Sequence, residues 1–449
     1  MTQLTVLSKP SVDLRAALSN ELDGDRSAAA LGVRLQRFDS FGDAEPLRER
    51  WDALVERVGG DLFSSFDWCA IWWKHFGHGR RLELHAAWRG DDLVAVLPLF
   101  RETIRWGPVG LRVVRVVGCD HGVTTCNVAV EAEWIEATAR MLMETLETSG
   151  PWDLLHVGEM PGYADNAPLL AEALRKCPQA DRVIFGENEY PHNVFDVPGD
   201  YESYLAGLST KERRNVRRDE RQLEQKESAA RLEPRDDKEL RRAFDDLIAL
   251  HRVQWTARGR LGHFDDWPGV ENFHREVACA LSACGRQAFA EVRVEGRVLA
   301  SEFAGRFGRR VHWIIGGRCA EVTSRIGFCA LMRNAIRDGA TVIDALPGSY
   351  DYKRRLGAKT LGVKTIIVLP RIGRGRMRLA IVRGITRIAS LVYHRLWYWH
   401  FAPWLRAKFP KLRLPMLRAG LWKRFLRARF LVAGRHDSTA ESAPSGEDQ

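Results

Sequence analysis

HAAWRGDDLVAVLPLF, from His85 to Phe100, and AEVRVEGRVLASEFAG, from Ala290 to Gly305, read as one device used twice, about 205 residues apart. Each is an apolar run, a charged turn containing glycine, and a second apolar run, the pattern of a β-hairpin. In the first copy, residues 82–88 and 93–100 flank Arg89, Gly90, Asp91 and Asp92; in the second, 289–294 and 298–307 flank Glu295 and Gly296. A hairpin is common. Two helical patterns precede each copy, 44–58 and 66–76 in the first case and 237–258 and 270–283 in the second, and this longer match points to internal duplication.

Working outward, a strand at 34–38 opens the first half, and β segments at 111–117 and 154–157 enclose a helix at 133–147. The second half continues with a strand at 310–315, the pair Gly316-Gly317, a helix at 327–338 and a stop at Gly339. A short apolar strand follows at 341–345, with Asp344 as its single acid. Antiparallel hairpins covered by helices imply an α/β, mixed α+β, architecture in two tandem halves. The division read from these patterns is a disordered lead-in at 1–30, halves at 31–200 and 201–370, a basic helical tail at 371–435, and a polar end at 436–449.

The 449 residues are 45% hydrophobic and 28% charged, which suits well-buried cores. The first twenty residues lack an uninterrupted apolar run, so no secretion signal is expected. Eight cysteines include no C-x-x-C pair, which predicts reduced thiols in a cytoplasmic protein and no metal. The net charge of +10 is unevenly spread. Residues 371–430 hold 16 Lys or Arg and no acid, leaving −6 on the remaining 389 residues. Such a tail expects an anionic surface, a membrane or a nucleic acid. Its longest stretch without Lys or Arg is far short of the ~20 residues of a spanning helix. Trp397, Tyr398, Trp399, Trp404 and Trp422 add aromatic anchors, so the membrane interface is the favoured partner. RNA is the competitor.

The ordered set FSSFDWCAIWWKHFG from Phe63, LSTKERRNVRRDERQLE from Leu208, LIALHRVQWTARGRLGHF from Leu247, SRIGFCALMRNAIRDGATVIDALPG from Ser324 and YDYKRRLGAKT from Tyr350 resembles the CelD-like acetyltransferase domain family. That family is a GNAT-superfamily branch related to the FemAB-type aminoacyl transferases, and the resemblance spans roughly residues 45–365. It implies two GNAT-like halves and an acyltransferase, with acyl-CoA (acetyl-CoA) as co-substrate and a saccharide or other small acceptor in cell-envelope or polysaccharide synthesis. It also implies a phosphate cradle of the form R/Q-x-x-G-x-G/A at a helix start. Here Arg325-Ile326-Gly327-Phe328-Cys329-Ala330 takes that place after Ser324, with the first glycine one residue early and the second absent. The departure leaves coenzyme A and aminoacyl-tRNA both open as donors, and a non-catalytic accessory role as a third reading.

Acyl transfer needs an oxyanion stabiliser and a base. Gly316 and Gly317 at a strand end would expose a backbone N–H to an oxyanion. Burial of Asp344 in its apolar strand is expected to favour the neutral form and raise its pKa, which would fit it to proton transfer; otherwise it pairs with Lys353 or Arg354. His251 and His312 are alternative bases. Tyr352 and Lys353 form the pair most suited to meeting a developing negative charge, the role that the FemAB resemblance implies for a lysine there. Between the halves, Arg213, Arg214, Arg217, Arg218 and Arg221 share one side of a helix, either solvated or facing phosphates.

Overall fold

A computed structural model describes residues 32–409 and 427–432, apart from short breaks at 124, 227–229, 233, 235, 258–261, 267–268, 349 and 372–374. The lead-in at 1–30, Trp422 and the polar end at 436–449 lie outside the described residues.

The strands, in chain order, are β1 (Arg34–Phe38), β2 (Arg81–Arg89), β3 (Asp92–Trp106), β4 (Val109–Val116), β5 (Ala129–Val130), β6 (Leu154–Met160), β7 (Ala180–Asp196), β8 (Ala230–Leu232), β9 (Gln287–Val294), β10 (Arg297–Phe307), β11 (Arg310–Arg318), β12 (Val342–Pro347) and β13 (Lys359–Pro370). All share one sheet, ordered β1-β2-β3-β4-β6-β13-β7-β12-β11-β10-β9-β8, with β5 paired to β3. The order is a palindrome about the β13–β7 contact. Hairpin β2–β3 answers hairpin β9–β10, β4 answers β11, and β6 answers β12. The second strands of the two hairpins begin at Asp92 and Arg297, the spacing of the repeat read in the sequence.

A parallel pair lies in each half. Val113–Val114–Arg115 pair with Leu154–Leu155–His156, and Arg310–Val311–His312 pair with Val342–Ile343–Asp344. Parallel neighbours need a crossover, and helices α3 (Ile135–Thr148) and α10 (Ser324–Arg337) supply it. The final strand of each half crosses to the other. β7 follows β6 in sequence but pairs with β12, while β13 follows β12 but pairs with β6. The two exchanged strands then pair with each other from Lys359↔Val194 to Pro370↔Ala180. The halves are therefore stitched through the centre of one sheet.

Helices α1 (Arg48–Arg57) and α2 (Phe66–Phe76) lie before the first hairpin, and α4 (Asn166–Lys176) joins β6 to β7. Trp68 and Trp72 on α2 are buried packing residues, and Trp51 of α1 meets Phe66 edge-on at 5.4 Å. In the second half come α5 (Tyr201–Gly207), α6 (Thr210–Glu224), α7 (Asp237–Ala257), α8 (His263–Asp266) and α9 (Val270–Ala283), and α11 (Asp351–Arg355) follows β12. One apolar core joins the first half to α7 and α9; a second lies beneath α10, α5 and α6. The tail forms α12 (Gly375–Val392), a widened helical segment Tyr393–Phe401, and α13 (Ala402–Lys408).

Candidate functional site

The ladder between β11 and β12 ends at His312–Asp344, although both strands continue, to Arg318 and Pro347. An opening forms where they diverge. Leu346 sits there with φ 64, a left-handed conformation that costs a non-glycine residue about 1 kcal/mol or more. Two contacts hold it. Its N–H donates to Asp344 Oδ1 at 2.8 Å, and Asn193 Nδ2 donates to its carbonyl at 3.2 Å. The bend brings the neighbouring Ala345 carbonyl to Lys353, whose ammonium donates to it at 2.6 Å. Lys353 is buried and lies 4.6 Å from the Tyr350 ring and 5.6 Å from that of Trp313. Tyr352 adds an edge contact to Trp313 at 6.4 Å. A buried cation within an aromatic box thus faces the divergence.

Asp344 differs from its sequence-based expectation. Burial does oppose its charge, but the close pairing with His192 and the hydrogen bond from Tyr163 outweigh it, so the carboxyl is held below the usual carboxylate range. His192 Nδ1 accepts from the Gly162 N–H at 3.0 Å, which places the proton on Nε2, and Nε2 donates to Asp344 at 2.7 Å. Tyr163 donates to the other oxygen at 2.6 Å. The acid pairs with His192, not with Lys353 or Arg354, and its geometry is that of an anchor for the bend.

His251 and His312 are each engaged by backbone. His251 donates from Nδ1 to the Gly316 carbonyl at 2.9 Å and accepts at Nε2 from the His263 N–H at 3.1 Å. His312 Nε2 faces the Leu62 N–H at 3.4 Å, with Phe63 edge-on at 5.1 Å. Burial pushes both imidazoles down to about 4. Gly316 and Gly317 lie inside β11, opposite Glu302 and Ser301 of β10, not past the strand end.

Glu302 is the group that the sequence reading passed over. Burial pushes its carboxyl up to about 8, against the opposing effects of the Trp313 hydrogen bond and the Arg318 charge. Trp313 Nε1 donates to it at 2.8 Å. A Cβ added at Gly316 would lie 1.9 Å from one of its oxygens, and a Cβ at Gly327 would lie 2.1 Å from the other. The two glycines therefore make space for an internal carboxyl. Gly317 has a different neighbour: a Cβ there would meet the backbone N of His251 at 2.8 Å, so its absence lets α7 approach. The available signal was a lone acid inside the apolar run around SEFAG, the same signal that singled out Asp344.

The start of α10 does not fit the pyrophosphate of coenzyme A, which the fold family implies. Arg325 is buried, with Nε donating to Asp219 at 2.9 Å and Nη1 to Glu212 at 3.3 Å, both on α6. Thr323 is the capping residue, and its hydroxyl also donates to Asp219, at 2.9 Å. Arg318 donates to the Cys319 and Val322 carbonyls of the loop leading into the helix. Two carboxylates thus already complement the helix start, and bringing up a pyrophosphate would place like charges together.

The matching place in the first half is filled. Beside the end of the Arg115–His156 ladder, the Phe430 ring lies 4.2 Å from the Arg115 guanidinium and 4.5 Å from His156. Arg115 is fully buried among Glu102, Asp120 and the Arg427 carbonyl. The chain's own residues 427–432 occupy that site, with Ala428 and Leu431 buried.

A family model described as Acetyltransferase (GNAT) domain matches residues 210–354, which include Glu302, Asp344, Leu346 and Lys353 but not Tyr163, His192 or Asn193. No curated protein matches the chain. Among solved structures, FemX is similar at 12% identity, covering 72% of this chain and 96% of its own, with a TM-score of 0.52. The C-terminal domain of a putative lysylphosphatidylglycerol synthetase from Agrobacterium fabrum aligns at 12% identity over 78% of this chain and 97% of its own, with a TM-score of 0.44. A tandem GNAT protein from the clavulanic acid biosynthesis pathway aligns at 10% identity over 76% and 99%, with a TM-score of 0.39. The FemX likeness and the GNAT match agree on the fold: a mixed α/β, tandem GNAT-like architecture.

Proposed function

We propose that the protein is a GNAT-type acyltransferase that acylates an amine or hydroxyl of a cell-envelope or exopolysaccharide intermediate, working peripherally at the inner face of the membrane. The observation that carries the reading is Lys353, a buried cation seated by the Leu346 bend where β11 leaves β12. The acceptor attacks the acyl carbonyl, the new C–N or C–O bond forms, and the bond to the carrier breaks. The proton lost by the acceptor ends on the departing carrier. Lys353, with Tyr352 beside it, is assigned to the negative charge that builds on the carbonyl oxygen, where one fixed donor is worth on the order of 3 kcal/mol. Glu302 is assigned to the proton, because it exchanges one near neutral pH whereas Asp344 stays ionised. Asp344 is a positioning residue acting through Leu346. The reading keeps 31–200 and 201–370 as the halves and 371–435 as the tail, and it retains the CelD-like branch as the narrower family.

Coenzyme A anchored at α10 is not part of the proposal, since Arg325 is already paired there. That observation favours a second reading of the donor, an aminoacyl-tRNA. The exposed Arg214, Arg217, Arg218 and Arg221 of α6 offer an outer basic face for its phosphates. The test offers acetyl-CoA, a longer acyl-CoA and aminoacyl-tRNA, each labelled in the acyl group, together with an extract of envelope intermediates. Label should pass to the extract from one donor class. Folded protein that moves no label from any of them would leave the accessory role in its place.

A further inference from the structure

Nine of the twelve large apolar side chains most exposed among the described residues fall between Met377 and Phe409, within a segment that carries no acid. They are ordered along one surface. Met377, Ile381, Ile388, Leu391, Val392 and Leu396 follow one another at helical spacing, and the exposed Phe401, Trp404 and Phe409 follow in and beside α13. Arg383 and Arg387 are exposed on the next face of the same helix, where Arg376 is bonded to Asp181, and Lys408 covers Trp404 at 5.2 Å. The opposite face of α12 is already in use. Val382 and Thr386 are buried, Gly375 packs on the Asp153 backbone, and Arg378 bonds Asp153 at 3.2 Å. No described helix is long and apolar enough to cross a membrane.

We infer that α12 and α13 form a preformed plate that lies on an anionic lipid surface, with the Met377–Phe409 line in the acyl boundary and the arginine row at the headgroups. The plate is fixed to the sheet before it meets lipid, so it presents the whole molecule in one orientation. The charge decides the occupant: an apolar line bordered by cations, without an acid from 371 to 430, matches negatively charged headgroups. The inference deepens the peripheral placement proposed above. It is read by lipid binding alone, so it can fail while acyl transfer stands.

Removing the tail would uncover the sheet beneath Val382 and Leu431, so the experiment uses the full chain. Wild type and the triple variant Ile381→Ser, Ile388→Ser, Leu396→Ser are sedimented with phosphatidylglycerol-containing and with pure phosphatidylcholine vesicles. Wild type should bind the anionic vesicles, less so in moderate salt. The triple variant should bind at least tenfold more weakly with an unchanged melting temperature, because all three side chains already face outward. Arg383→Glu with Arg387→Glu should weaken binding to anionic vesicles while leaving the weak binding to neutral ones as it was. Equal binding by wild type and the triple variant would overturn the inference. So would no vesicle binding, whether tail-dependent RNA binding or a tail-dependent dimer appears in its place.

Discussion

Gly316 and Gly327 leave room for a single carboxyl group, and this space makes Glu302 testable apart from any substrate. In the unfolded chain Glu302 ionises near its ordinary value, whereas in the fold it keeps its proton up to about 8. Between those values the folded state holds a proton that the unfolded chain has released. Stability contributed by this group therefore falls as pH rises, by about 1.4 kcal/mol per pH unit, and is level outside that window. Glu302→Gln should lack this slope, so unfolding free energies of the two proteins should converge or cross between pH 5 and pH 8. Parallel curves would show that the carboxyl is not held neutral. Gly316→Ala should cost about 1–3 kcal/mol through overpacking, and the cost should shrink in a Glu302→Ala background. Asp344 shows why residue roles were only partly legible. Its burial could be read from the apolar strand around it, but the histidine that reverses the effect of burial lies 152 positions away. Lys353 was legible as a cation beside an aromatic residue, while the left-handed Leu346 that seats it leaves no mark in the sequence.

The start of α10 is decided by α6. Arg325 links the two through Asp219 and Glu212, so the sequence pattern of a phosphate cradle is present while its arginine is engaged elsewhere. Arg325→Met leaves two buried carboxylates without their cation and should cost about 3–5 kcal/mol. Coenzyme A should not raise the melting temperature of wild type or variant. Stabilisation of wild type by coenzyme A at micromolar concentration, lost in Arg325→Met, would restore the cradle. Helix α10 itself was foreseeable, since its apolar period and Gly339 mark it, although it begins at Ser324, three residues before the predicted start. Its chemistry was not, because spacing within one helix carries no information on what the neighbouring helix contributes.

The palindromic sheet makes the two halves one cooperative unit. β13 completes the first half and β7 the second, so neither half can unfold without losing a central strand of the other. Calorimetry should give a single transition with matching calorimetric and van't Hoff enthalpies, and two separate transitions would contradict the exchange. The duplication was visible from the hairpins, whose alternation and glycine turns are local. The exchanged strands were not. β7 is broken by a polar stretch and Pro191, and β13 carries Lys359, Gly362 and Lys364 among its apolar residues, so neither reads as a central strand. The same symmetry frames the functional claim. Of two equivalent divergences, the first is filled by Phe430 and the second holds Lys353. Labelled-acyl transfer by Lys353→Met, measured beside its melting temperature, tests that claim most directly. The account predicts a rate lower by about a hundredfold with donor binding and folding retained. A folded Lys353→Met protein that transfers label at the full rate would contradict it.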